Sequence, residues 1–526
     1  MNRLSGLDAL FLYLETPLTP MHVGSVTTFA PPPGDIDLFA ALRRHTADRL
    51  DLLPSYKRRL APTPFGLDHP SWIVEDEVDL DYHLRHVALP KPGTMAQLRE
   101  LVARLHAQPL DRTKPLWEYY LIEGLSDGGF AVYAKVHHSS MDGVAGGATL
   151  QVMYDFSPNP EASPRKPTLV RTPRETADTL ELTGSALVDL ARHGVRAVKS
   201  LPALVKGLVN AAPSLSRDAR YLFSYLKGMP RTPLNVSISG ERILATSSLP
   251  LAEVKALAKS RGATINDIVM ALSAGALRRY LQKHGALPDV PLAAGVPVSL
   301  RQIGDSTLNN QVVFSMSRLP TQIAAPLPRL AAARAAGQEA KTLFADVRDL
   351  LSTDIAIPLA PLIASGLAKL WASTGAADVL PWSFNVVISN VPGPRSPMYC
   401  AGAAATHYFP LSIAYHGCAL NITVQSYLDT LDFGLIACRR TVPDAQSIAD
   451  DIVEDFRAMR LADLALASPD AVALIDIDKP RRLLSHQLEP EAPAKAAKPR
   501  RRATPRVKPA NDDKPARAPR RRRAEP

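Results

Sequence analysis

The stretch Phe130 to Gly147, FAVYAKVHHSSMDGVAGG, decides how the chain is read. From Phe130 to Val136 it is apolar, with the β-branched and aromatic residues of a buried strand. Side chains alternate along a strand, so Val132, Ala134, Val136 and His138 fall on one face and Tyr133, Lys135 and His137 on the other. The two adjacent histidines are therefore expected to point opposite ways. Four residues after the second come Asp142-Gly143, then small residues, then Thr149 to Tyr154 as a helix whose start Asp142 is placed to cap. A strand-to-helix loop presents polar groups to a cleft more often than other segments do.

On the N-terminal side, Tyr119 to Glu123 reads as a strand paired with the histidine strand through a turn at Ser126-Asp127-Gly128-Gly129. The chain begins with LSGLDALFLYLETPLTPMHVGSVTTF, a helix from Leu7 to Leu14 and a strand from Val23 to Phe29, with Glu15 and His22 as the polar residues that stand out. Asp37 to Asp51 and Met95 to Gln108 have helical periodicity, and Trp72 to Leu84 reads as a strand with an acidic turn. Arg112 and Trp117 are candidate ligand contacts, although core packing is the plainer role for a tryptophan.

On the C-terminal side, Ser157 to Arg174 has the proline-rich, charged composition of a boundary. Thr183 to Ala212 is a basic amphipathic segment, interrupted at Pro202, that suits a membrane surface or packing between domains. A second half opens near Thr232, with helices over Leu251 to Ser260 and from Ile265 to Leu281. Asn266 and Asp267 lie in the first turn of the latter, where either can cap. Val290 to Leu300, Asn310 to Arg318 and Phe384 to Ser389 read as strands, Leu327 to Leu343 as a helix, Leu420 to Tyr427 with Leu431 to Cys438 as a hairpin, and Asp444 to Leu461 as the last helix.

At 526 residues and 46% hydrophobic, the chain can bury cores for two or three domains. Its net charge of +10 is a local property: residues 479–526 carry sixteen Lys and Arg against five Asp and Glu, which leaves residues 1–478 at −1. That tail is expected to be disordered, and nucleic acid is not an expected partner of the neutral folded part. The three cysteines, Cys400, Cys418 and Cys438, form no disulfide framework, in keeping with the cytoplasm. No secretory signal is read at the start, and Ile355 to Ala368, with Pro358 and Pro361, falls short of the roughly 20 apolar residues a membrane span needs.

The sequence holds no phosphate loop, dinucleotide fingerprint or HExxH helix. Adjacent histidines on a strand diverge, so a shared metal is not expected. General-base catalysis remains: a histidine takes the proton of an attacking hydroxyl or amine and returns it to the leaving group, with no nucleophilic Ser or Cys. Asp142 is open to a triad role, yet its place at the head of a helix beside Gly143 suits holding the loop.

His137-His138-Ser139-Ser140-Met141-Asp142-Gly143 matches the HHxxxDG motif of acyl-CoA-dependent acyltransferases. Further segments resemble the bacterial wax ester synthase/diacylglycerol acyltransferase family: Leu4 to Ala9, Pro20 to Gly24, Pro115-Leu116-Trp117-Glu118, Asn266-Asp267, Ser389 to Pro394 and Leu420 to Tyr427. One departure is Asp429-Thr430, at a turn where relatives more often carry glycine. The resemblance implies an α/β fold of two chloramphenicol-acetyltransferase-like domains, with mixed sheets flanked by helices and an active-site tunnel at their interface. The expected division is 1–156 and 232–478 for the two domains, 157–231 for a linker with the basic helices, and 479–526 for the tail.

The resemblance further implies His138 as general base, with His137, Asp142 and Gly143 as structural members of the motif. It places Glu15, Asn266 and Asp267 near the site and Pro115, Leu116 and Trp117 against substrate. Small side chains make Ser365 and Gly366 candidates for an acceptor pocket. The implied reaction moves a fatty acyl group from acyl-CoA, a co-substrate in an enzyme without cofactor or metal, to diacylglycerol or a long-chain alcohol. The implied location is peripheral, on the inner face of the membrane or on lipid inclusions. Two alternatives stand beside it: a condensation-type acyltransferase served by a carrier protein, and a non-catalytic lipid-droplet coat, which would have no need of His138.

Overall fold

In the computed structural model the described residues are 2–61, 69–140, 143–159, 229–300, 312–348, 360–378 and 384–467. All belong to the unit that runs from Met1 to Pro469. The strand β7 (Phe130–His137) is buried at every position, and the reason is its place in the middle of a six-stranded sheet. The order is β12 (Tyr399–Cys400), β13 (Ala403–Leu411), β2 (His22–Phe29), β7, β6 (Trp117–Glu123) and β5 (Leu84–Ala88). β6 and β7 form the expected antiparallel hairpin, with Glu118 opposite Lys135 and Trp117 opposite Val136. Gly128 closes its turn at φ 81°, a left-handed conformation that glycine adopts without steric cost. On the other side β2 pairs with β7 so that His22 faces His137. The two backbones run so close that a Cβ on Gly24 would lie 2.5 Å from the Ala134 carbonyl oxygen.

A second sheet of six strands is ordered β10 (Val312–Leu319), β9 (Leu292–Ser299), β11 (Val386–Val391), β14 (Leu420–Tyr427), β15 (Thr430–Cys438) and β8 (Arg242–Pro250). It is mixed: β11 runs parallel to both β9 and β14, while the other pairs are antiparallel. Against it pack α7 (Ile265–Lys283) and α10 (Ala445–Ala467), which share an apolar core with β8, β14 and β15. α7 starts with a capping box in which the Thr264 hydroxyl accepts the Asp267 N–H and the Asp267 carboxylate accepts the Thr264 N–H. A small third sheet joins β1 (Asn2–Arg3), β4 (Ser71–Val74) and β3 (Arg58–Ala61).

Between the large sheets lies α4 (Met95–His106), also opened by a capping box, from Thr94 and Gln97. Its Leu98, Val102 and Ala103 share one apolar cluster with Val26, Tyr120 and Tyr133 of the first sheet and Leu244 and Ile436 of the second. β13 strengthens this junction. It belongs by sequence to the C-terminal half but hydrogen-bonds along β2, from Leu411 opposite Gly24 to Ala405 opposite Phe29. The first sheet is therefore not completed within residues 1–156. Neither β13 nor β8 figured among the expected strands. β13 opens with Ala403-Ala404-Ala405 and β8 carries Thr246-Ser247-Ser248, so neither shows a clean apolar alternation. The basic segment at 183–212 and the tail lie outside the described residues.

Candidate active site

β7 ends at His137, and His138–Ser140 form a 3-10 turn. Two backbone bonds fix where the strand stops. The His137 N–H donates to the Leu116 carbonyl at 3.0 Å, and the His138 N–H donates to the Met21 carbonyl at 2.8 Å. The turn then folds back on the first histidine: the Ser139 N–H donates to His137 Nδ1 at 3.1 Å, and the Ser139 hydroxyl lies 2.7 Å from the same atom. With Nδ1 accepting, the His137 proton sits on Nε2, which faces Glu15 Oε2 at 3.1 Å.

Glu15 is the C-cap residue of α1 (Gly6–Leu14), whose N-cap Ser5 accepts the Asp8 N–H. Its carboxylate also takes the Met21 N–H at 3.0 Å and an ion pair from Arg112 Nη2 at 2.7 Å. Arg112 in turn donates to the Leu12 carbonyl at 2.7 Å, so one arginine ties the end of α1 to the segment before β6. Burial works against the Glu15 charge. The His137 hydrogen bond, Arg112 and the Met21 N–H together outweigh it and hold the carboxyl at about 2.

His138 follows the end of β7 as the first residue of the 3-10 turn, so strand alternation does not extend to it. The half-buried ring stacks on Phe11 of α1, with centroids 4.0 Å apart and planes 8° from parallel. Helix α1 thus serves both histidines, orienting one through Glu15 and stacking on the other through Phe11. Asp142 lies outside the described residues; Gly143 begins α5 (Gly143–Met153), earlier than the expected Thr149.

Beneath the turn, on the His137 face of the sheet, lies a set of buried polar groups that sequence reasoning largely missed. Lys135 is fully buried, 2.9 Å from Glu118 Oε2. His22 Nε2 donates to the His106 carbonyl at 2.8 Å. His106 Nε2 donates to the Ser412 carbonyl at 3.0 Å, leaving its Nδ1 to accept the Tyr133 hydroxyl at 2.8 Å. Burial pushes His106 down to about 3, and burial together with the nearby Lys135 charge holds His22 well below an ordinary histidine. Both rings are neutral at physiological pH. The signal available in the sequence was Lys135 itself, a charge inside an apolar strand on the His137 face.

Other expected site residues have different surroundings. Trp117 is 1% exposed, stacks on His83 with centroids 4.3 Å apart, and donates its indole N–H to the Tyr56 carbonyl at 2.9 Å. It is core, with no face left for substrate. Pro115 and Leu116 are buried as well, and Leu116 contributes the carbonyl that anchors His137. Asp267 is occupied in its capping box, and Asn266 is half-buried beside it. Gly366, on α9 (Ala360–Thr374), is exposed, and among the described residues nothing lies within 4 Å of where its Cβ would be; the Ser365 side chain is outside the described set. Among the described residues no three His, Cys, Asp or Glu side chains gather in a way that could hold a metal ion.

The catalytic-domain signature of the wax ester synthase/diacylglycerol acyltransferases matches residues 4–269, which span α1, the Glu15 cap and the histidine turn. The chain belongs to this family. The family's C-terminal domain signature matches residues 308–460. A Mycobacterium tuberculosis protein named as a diacylglycerol O-acyltransferase is 36% identical over 474 residues, covering 87% of this chain and 99% of its own. A second from that organism, also so named, is 36% identical over 470 residues, covering 88% of this chain and 99% of its own. The solved wax ester synthase/diacylglycerol acyltransferase of Marinobacter aquaeolei superposes with a TM-score of 0.63 at 32% identity, covering 88% of this chain and all of that one. The first condensation domain of the calcium-dependent antibiotic synthetase shares the fold, with a TM-score of 0.52 at 16% identity, covering 89% of this chain and 97% of its own. Three segments of the family resemblance, Pro20 to Gly24, Pro115 to Glu118 and the paired histidines of the motif, meet at one turn through Met21, Leu116 and His137, and α1 reaches it through Phe11 and Glu15.

Proposed function

We propose that His138 is the general base in direct transfer of a fatty acyl group from acyl-CoA to the hydroxyl of diacylglycerol, or of a long-chain alcohol. As a family member the chain is an acyl-CoA-dependent acyltransferase of the diacylglycerol acyltransferase and wax ester synthase class. His138 takes the hydroxyl proton as the acceptor oxygen attacks the thioester carbonyl. Collapse of the tetrahedral adduct breaks the carbon–sulfur bond, and the proton passes to the departing CoA sulfur. The supporting observation is the turn: a half-buried imidazole at the end of a buried strand, its plane set by Phe11 and its backbone held by Met21. His137, bound to Glu15 and Ser139, is committed to holding the turn.

Diacylglycerol is the favoured acceptor, since the relatives at 36% identity carry that name. Incubating the protein with one acyl-CoA and a mixture of diacylglycerol and fatty alcohol, without any carrier protein, tests the reading. Neutral lipid is the expected product. No turnover from acyl-CoA, or full turnover by His138→Ala, refutes it. Direct transfer also requires both substrates before CoA leaves, so ping-pong kinetics would contradict it. Among the described residues no helix is long and apolar enough to cross a membrane. The lipid substrates support peripheral attachment to a membrane or lipid inclusion, which flotation with phospholipid vesicles checks.

A further inference from the structure

We propose that Lys135 is a positioning residue for the histidine turn, joining the end of the histidine strand to β6 and to the C-terminus of α4. The inference rests on the general-base reading of His138. Lys135 stands two residues before His137 on the same face of β7 and is fully buried. Its ammonium reaches Glu118 Oε2 at 2.9 Å, the Leu105 carbonyl at 3.3 Å and the Gln108 carbonyl at 3.2 Å. Leu105 lies in the last turn of α4 and Gln108 just beyond its end, where the helix dipole favours a cation. Glu118 is directly opposite on β6; it also accepts the Tyr120 hydroxyl at 2.7 Å and the Tyr82 hydroxyl at 3.5 Å, and its Oε1 lies 4.0 Å from Arg85 Nη2.

A buried ammonium is expensive, and an apolar side chain of similar length would serve packing at least as well. What the charge provides is direction: three acceptors from two other elements fix one rung of β7. The next anchors along the strand are the Leu116 carbonyl on His137 and the Met21 carbonyl on His138. α4 is itself held at this end by His106, bonded to Tyr133 of β7 and to the Ser412 carbonyl from the C-terminal half. Lys135 therefore references the base to a helix lying between the two large sheets. Burial pushes its ammonium below an ordinary lysine while Glu118 pulls it back up, consistent with a charge kept by its partners.

The double variant Lys135→Met/Glu118→Gln tests this, because it removes both buried charges, keeps an acceptor for Tyr120 and leaves only the exposed Arg85 without its ion pair. Expected is a melting temperature near wild type, an unchanged KM for acyl-CoA, and a kcat lower by about 10- to 100-fold, the scale of a small misplacement of a catalytic group. Glu118→Asp, which keeps both charges and shortens the reach to Lys135, is read the same way if the double variant does not fold. A purely structural pair predicts that kcat recovers with stability; wild-type kcat in a folded variant, or a loss carried wholly by KM, overturns the proposal. His138→Ala in the same assay separates the two readings. If it remains active the base assignment fails, whereas if it is inactive and the double variant is fully active only the role of Lys135 fails.

Discussion

His138 and Glu15 divide the work of the site between chemistry and geometry. His138→Ala is expected to lower kcat by about 100- to 10,000-fold, the usual worth of a general base, with little change in melting temperature. Glu15→Gln should behave differently. It keeps the shape but leaves Arg112 without its ion pair and weakens the His137 contact, so both kcat and the melting temperature should fall. The titration behaviour gives a further test. Glu15 is held at about 2, below its ordinary 4.5, so its stabilising contribution is complete above pH 4.5 and is lost as pH falls toward 2. His106 is also depressed, to about 3 from 6.5, and as with Glu15 the unfolded chain gains the proton first as pH falls. Its contribution is complete above pH 6.5 and declines as pH falls toward 3, by about 1.4 kcal/mol per pH unit. Urea unfolding at pH 7 and pH 5 should show the loss, and His106→Gln should flatten the slope.

Among the elements, β6 and α7 show what a sequence motif can mean once folded. Trp117→Phe should reduce stability by about 1–2 kcal/mol through the lost bond to Tyr56, with acyl-CoA KM unchanged; a selective rise in KM would restore a substrate role. Thr264→Ala should cost about 1 kcal/mol from the α7 capping box. Helices and hairpins were legible because their signals are local: α6 (Leu251–Ser260) has the predicted limits, and the β6–β7 hairpin follows its glycine turn. The end of the histidine strand was less so, since alternation does not reveal that β7 runs one residue past Val136 and stops at His137, where Met21 and Leu116 claim the backbone. For Trp117, core packing was the plainer reading of its type, and only the fold shows both faces of the ring covered.

At the scale of the molecule, the sheet around the histidines is a joint product of both ends of the chain. A fragment of residues 1–231 would present β2 with one edge unpaired and the α4 cluster without Leu244, Phe409 and Ile436. Such a fragment is expected to lack a cooperative unfolding transition, measurable by circular dichroism, while the full chain has one. A fragment that unfolds cooperatively would favour the simpler division at residue 156.

The pairing of β13 with β2 also bears on how the protein is made. Thr28 and Thr406 share a hydrogen bond across 378 positions of sequence. A ribosome adding about 5–20 residues per second needs roughly 15–55 s after β7 has been synthesised to reach the end of β13. Through that interval β2 is an open edge beside a strand of apolar residues, the arrangement most prone to pairing with another chain. Slower synthesis lengthens the exposure, so yield of soluble enzyme should depend on chaperone supply more than on the final stability of the fold.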